Sequence, residues 1–196
     1  MDLMKDSVNA ILKNIQAAED VLDEENIEII KNIITSSENV FVIGAGRSGL
    51  AGKAFAMRLM HLGMSVYVVG ETTTPAIFED DCIVAISGSG ETNNIVEAVK
   101  IAKKRGAKVV VVSSYPESTL GKLADAILYV KGRTKLEVDD ENYMKRQFDG
   151  NYTLLTPLGT AFELTSLVFL DGLVCELMKK MGKTEDDLKR RHTVLE

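Results

Sequence analysis

Two stretches rich in glycine and serine carry the residues best suited to chemistry. Gly44-Ala45-Gly46-Arg47-Ser48-Gly49 follows a short apolar run at 39–43 and opens a helical pattern. Ser87-Gly88-Ser89-Gly90-Glu91-Thr92 follows the apolar run 82–86 and again leads straight into a helical pattern. Backbone amides and the dipole at a helix N-terminus attract an anion, and hydroxyls donate to its oxygens, so the second stretch reads as a phosphate cradle. The alternative is a tight turn, which needs the glycines and has no use for three hydroxyls. Gly44, Gly46 and Gly49 also satisfy a dinucleotide fingerprint, and Glu71 ends the next strand where such an enzyme holds its ribose. A dinucleotide places its pyrophosphate on the first loop and does not call for a second cradle. The pair of loops therefore favours a phosphorylated ligand other than NAD.

A third chemical residue lies far away in sequence. Leu167, Leu170, Val174, Leu177 and Met181 follow Glu163 at i+4, i+7, i+11, i+14 and i+18, so Glu163 stands on the apolar stripe of a helix. Carboxylates are seldom placed there without a purpose. Glu163 is the candidate general base, its alternative being a carboxylate paired structurally with a neighbouring Arg or Lys. Glu91 is a substitute base or a first-turn helix residue that complements the dipole. Arg47 either neutralises ligand charge or faces solvent beside a turn. His61 shares a helix face with Leu50, Ala54 and Met57 and reads as a core or interface histidine. A helix of 12 residues at ~1.5 Å each would carry it roughly 18 Å from the first loop. His192 lies in a polar tail, free to act or to stand by.

The elements that must hold these residues are legible from periodicity. Residues 6–36 read as two helices. Asn39–Ile43, Ser65–Val69, Cys82–Ile86 and Lys108–Val112 are short, β-branched and nearly unbroken in apolar character, as strands buried on both faces are, with a fifth at Ala126–Val130. Helical runs at 49–62, 91–105 and 117–124 separate them, which predicts an α/β fold with a five-stranded parallel sheet and helices on both faces. Both glycine loops then lie at carboxyl ends of strands, where such sheets bind ligands. Residues 131–155 turn polar and form either a flap or a solvated loop. A long helix at 157–181 is expected to open on Thr156 as N-cap with Pro157 in the first turn, and to stop at Gly182. A charged helix and a short tail follow, pointing away from the core.

Composition narrows the classes of function. The 196 residues are 45% hydrophobic and 27% charged with a net charge of −6, which argues for one globular domain and against a nucleic-acid surface. Residues 1–36 would pack on that domain or on a partner, and 37–196 would form it. Cys82 and Cys175 read as buried reduced thiols, and no cluster has metal-ligand spacing. The first residues lack a signal-peptide pattern, and no run reaches the ~18 apolar residues of a membrane helix. A cytoplasmic protein without membrane association is expected. The apolar surface of 157–181 and of the N-terminal helices exceeds what one sheet covers and predicts a homo-oligomer.

With GAGRS, SGSGET and the later PLGTAFE, the chain resembles the sugar isomerase (SIS) domain family. AGKAFAMRLMHLG, the VGETTTP loop and the RH-containing tail resemble its 6-phospho-3-hexuloisomerase branch, and the likeness runs from about residue 38 onward. The resemblance implies a Rossmann-like three-layer fold and interconversion of D-arabino-hex-3-ulose 6-phosphate with fructose 6-phosphate, without metal or organic cofactor. It implies that Ser48, Ser87, Ser89 and Thr92 hold phosphate and sugar, with Gly88, Gly90 and Glu91 in the same cradle. It further implies a basic role for Arg47, Glu163 as base and a tetramer. The short tail after Lys189, pointing away from its own core, is expected to lend His192 to a neighbouring chain's site, where a near-neutral imidazole would shuttle protons. Competing readings are an isomerase of arabinose 5-phosphate type, a non-catalytic sugar-phosphate sensor and an NAD enzyme.

Overall fold

The computed structural model of the chain describes residues 2–132, 157 and 159–194. Two helices, α1 (Asp2–Glu19) and α2 (Glu24–Ser36), precede β1 (Asn39–Gly44), α3 (Gly46–His61), β2 (Ser65–Val68) and β3 (Cys82–Ile86). Then come α4 (Asn93–Lys104), β4 (Lys108–Ser113), α5 (Thr119–Leu123), β5 (Ala126–Tyr129), α6 (Thr160–Met181) and α7 (Glu185–Arg190). All five expected strands form within a residue or two of their predicted ends. They make one parallel sheet in the order β2-β1-β3-β4-β5.

Alternation along the strands divides the core into two layers. Val40, Val42, Cys82, Val84, Ile86, Val110 and Val112 face the side covered by α2, α3 and α6. Phe41, Ile43, Ile83, Ala85, Val109 and Val111 face the side covered by α4 and α5. Because both sheet faces are covered, the strands read as continuous apolar runs, and each fully buried Val, Ile, Leu or Phe contributes about 1.5–3 kcal/mol. The helices α1 and α2 pack on α6, and α2 also packs on β5. A chain of ion pairs ties α2 to α6: Lys180–Glu28 at 2.7 Å, Glu28–Lys31 at 2.6 Å and Lys31–Glu176 at 3.0 Å. Hydrogen bonds from Lys180 and then Lys31 hold the Glu28 carboxyl down at about 2.

Three expectations are corrected. Pro157 precedes the long helix rather than opening it, and Thr156 lies outside the described residues. The helix starts at Thr160 because Gly159, at φ 86°, turns the chain in a left-handed conformation that a proline-led first turn would not have needed. Its predicted stop is observed, with Gly182 at φ 63°. Cys175 is exposed, since it falls about 100° around α6 from buried Val174, whereas Cys82 is buried as expected. Burial pushes the Cys82 thiol up to about 11. The tail also does not point away. Leu188 packs against the core, the Arg191 guanidinium covers Gly63, and the His192 ring stacks on His61 with centroids 5.2 Å apart. The polar segment beyond residue 132 lies outside the described residues. No described helix is long and apolar enough to cross a membrane.

Candidate functional site

Strand order places the two glycine loops side by side. Connections from β1 and β3 leave toward opposite faces of the sheet, so the crevice between these neighbouring strands is the switch point where open α/β sheets bind ligands. Gly44 and Ile86 are register partners, so both loops leave the sheet from adjacent positions roughly 5 Å apart.

Each loop has the shape its glycines allow. A Cβ on Gly49 would sit 2.7 Å from the Gly44 carbonyl oxygen, so only glycine lets α3 start this close to β1. In the second loop Gly90 takes φ 66°, and a Cβ there would lie 1.9 Å from the Ser118 hydroxyl. Ser87 is buried, its hydroxyl hydrogen-bonds with Thr92 Oγ1 at 3.0 Å, and it accepts from the Gly90 N–H at 3.2 Å. The Ser89 hydroxyl accepts from the Glu91 N–H at 3.2 Å. Ser48 makes no side-chain hydrogen bond among the described residues. Ser87 and Thr92 are thus brought into contact, Ser89 turns its hydroxyl to the Glu91 N–H, and the Gly90 amide is spent inside the loop.

Helix capping separates the site from the rest of the molecule. Asp23, Ser118 and Thr184 cap α2, α5 and α7 with side-chain hydrogen bonds. By contrast, α3 begins on Ala45, α6 on Gly159, and α4 on Thr92, whose hydroxyl turns to Ser87 instead; none has a side-chain cap. First-turn N–H groups without intrahelical partners are left for water or an anion. These three N-termini open at the carboxyl edge of the sheet. The cysteine, histidine and acidic residues described form no group of three that could hold a metal. The donors gathered at this edge are amides and hydroxyls, which suit phosphate.

The carboxylate reaches the same edge on α6. α3 and α6 pack together, and Arg47 of the first loop forms an ion pair through Nε with Glu163. Glu163 keeps 15% of its side-chain surface and Arg47 60%, so a largely sheltered carboxylate meets an open guanidinium. Gly159 makes the space, because a Cβ there would come within 3.2 Å of Glu163 Oε1. The alternative raised for Glu163, pairing with a neighbouring arginine, is realised with the very arginine of the glycine loop.

Two other candidates fall elsewhere. Glu91 lies before α4 rather than in its first turn, and its carboxylate accepts from the Thr119 N–H and hydroxyl, each at 2.7 Å. These bonds, the backbone one first, lower its proton affinity below the ordinary 4.5. His61 and His192 meet at the far end of α3, about 20 Å from Arg47 at 1.5 Å per residue. Within one chain, His192 and Glu163 are therefore not brought together. Sequence reading missed the end of β4 and the segment after it, where Ser113, Ser114 and Thr119 brace the second loop by hydrogen bonds and Ser118 packs against Gly90. The signal was available: these hydroxyls follow a predicted strand at the same sheet edge.

A model of the SIS domain matches residues 33–136, spanning both loops. A protein of Methanothermobacter thermautotrophicus named only as uncharacterized is 45% identical over 196 residues, covering 100% of this chain and 98% of the relative. The 3-hexulose-6-phosphate isomerase of Bacillus subtilis is 36% identical over 189 residues, covering 96% and 97%. A solved structure of a hypothetical protein from Methanococcus jannaschii, from which a 3-hexulose-6-phosphate isomerase function was inferred, is 31% identical. It superimposes with a TM-score of 0.77 over 100% of both chains. Since the model spans more than half of the sequence and these relatives align along nearly all of it, the chain belongs to the SIS domain family.

Proposed function

We propose that the chain is a 3-hexulose-6-phosphate isomerase, interconverting D-arabino-hex-3-ulose 6-phosphate and D-fructose 6-phosphate through an enediol. The observation that carries this reading is the meeting of the uncapped α3 and α6 N-termini at the Arg47–Glu163 pair, beside the serine–glycine loop. Relatives of that name over most of the chain support the choice of substrate.

Ser87, Ser89 and Thr92 hold the phosphate with the amides of their loop, Gly88 among them, and Ser48 assists from the first loop. Glu163 removes the proton from C2 of the 3-ulose and the C2–C3 enediol forms. The same carboxylate returns the proton to C3, leaving the carbonyl at C2. Arg47 neutralises the charge that develops on the enediol oxygen. No metal or organic cofactor is needed for this proton transfer. His192 serves a neighbouring chain, moving protons between substrate oxygens in a cytoplasmic homotetramer. Exposed Leu50, Met57 and Met60 on α3 support subunit packing. Residues 37–196 form the sugar-phosphate domain and 1–36 its helical cover.

Side-by-side assays with 3-hexulose 6-phosphate, arabinose 5-phosphate and glucose 6-phosphate test the reading. The first substrate should give the highest kcat/KM. Preference for an aldose, or binding with no turnover of any of the three, would replace it with another isomerase or with a sensor.

A further inference from the structure

Glu91 is the single charged residue of the serine–glycine loop, and a free carboxylate there would repel a phosphate dianion. The structure ties that carboxylate to the start of α5. Both carboxylate oxygens are engaged by Thr119, one by its N–H and one by its hydroxyl, each at 2.7 Å. The rest of the loop is braced from the same side. The Gly90 carbonyl accepts from Leu120 N–H at 3.1 Å, and the Gly88 carbonyl accepts from Ser114 N–H at 3.1 Å and Ser113 Oγ at 3.2 Å. In a planar trans peptide the N–H points opposite to the C=O. Turning the Gly88 carbonyl toward 113–120 therefore turns the Ser89 N–H away from it, toward the crevice.

We infer that Glu91 is a positioning residue, its carboxylate clasping the 87–92 loop to the start of α5 so that Ser87, Ser89 and Thr92 present one phosphate-binding face. This rests on the phosphate reading of the loop given above. The clasp spans 28 residues and joins the connections after β3 and β4, which no local turn would hold together. To act as a base, Glu91 would first have to give up two short hydrogen bonds. Gly90 allows the close approach that the clasp needs, since Ser118 fills the space a side chain would take.

The test compares wild type with Glu91→Ala, Glu91→Gln, Thr119→Val and the Glu91→Ala/Thr119→Val double variant. Loss of hydrogen bonds to a charged group predicts that Glu91→Ala raises KM, and the calorimetric Kd for fructose 6-phosphate, by about tenfold, with a far smaller change in kcat. Glu91→Gln keeps an acceptor for the Thr119 N–H and should recover most of the loss. The double variant should be no worse than Glu91→Ala alone, because both changes cut the same contact. Amide hydrogen exchange in 87–92 and 117–121 should quicken in Glu91→Ala and not in Glu91→Gln, with or without ligand. Unchanged exchange and Kd in Glu91→Ala would overturn the clasp. Equal loss of kcat in Glu91→Ala and Glu91→Gln would also overturn it, making Glu91 a base. If wild type binds no sugar phosphate the phosphate reading fails, and the exchange experiment still decides the clasp.

Discussion

Replacing Gly90 with alanine should cost this protein roughly 2–3 kcal/mol. A non-glycine residue at φ 66° is disfavoured by about 1–2 kcal/mol. The added Cβ would also stand 1.9 Å from Ser118 Oγ and 2.5 Å from Ser118 Cβ. Ser118 is buried and its hydroxyl accepts from the Gly121 N–H at 3.2 Å as the cap of α5. Pushing it aside forfeits that cap, worth about 1 kcal/mol. For a chain of this size the sum corresponds to a fall in Tm of about 5–10 °C. Thermal and urea denaturation of the parent and the variant would measure it. Ser118→Gly in the same background removes the clash but neither the backbone strain nor the lost cap, so the double variant should be more stable than the two single losses added together. A Gly90→Ala protein melting within about 1 °C of the parent would refute the reasoning. So would strict additivity of the two changes.

Glu163→Gln should keep the fold and the affinity for sugar phosphate while kcat falls by roughly 100-fold or more. Mixed after dissociation with His192→Ala protein, it should regain part of the activity; mixed oligomers of two inactive variants with no recovery would rule out shared sites. Ser89→Ala and Thr92→Ala should weaken fructose 6-phosphate by about 1.5–3 kcal/mol each and leave unphosphorylated fructose unaffected, as titration calorimetry would reveal. Burial, then the neighbouring His192 and Arg58, hold His61 below its ordinary 6.5. The unfolded chain therefore binds the proton first, and stability should decline as pH falls from about 6.5 toward the lower folded value. Urea midpoints at pH 7.5 and 5.5 should differ less in His61→Gln than in the parent; identical differences would remove His61 from the account.

Local pattern carried much of this molecule. Each strand of the parallel sheet is a continuous apolar run because both of its faces are covered, and β1 and β3 were readable for that reason. The glycines at 44, 49 and 90 stand where backbone meets backbone or a buried serine, and they marked both loops without any knowledge of the fold. Glu163 was legible because its neighbours on one helix face are apolar, a fact of 3.6-residue periodicity. Local signals misled where more distant structure intervened. Thr156 and Pro157 had the chemistry of a helix start, yet Gly159 made the turn, and a polar tail folded back onto α3 through Leu188 and His192. Periodicity says which way a side chain faces relative to its own element and nothing about which element lies opposite. That Arg47 meets Glu163 across 116 residues, and Glu91 meets Thr119 rather than its own helix, follows from the strand order β2-β1-β3-β4-β5 and from α6 lying against α3. Those choices were made by burying the two sheet faces together, a free energy that belongs to the assembled layers and to no single segment.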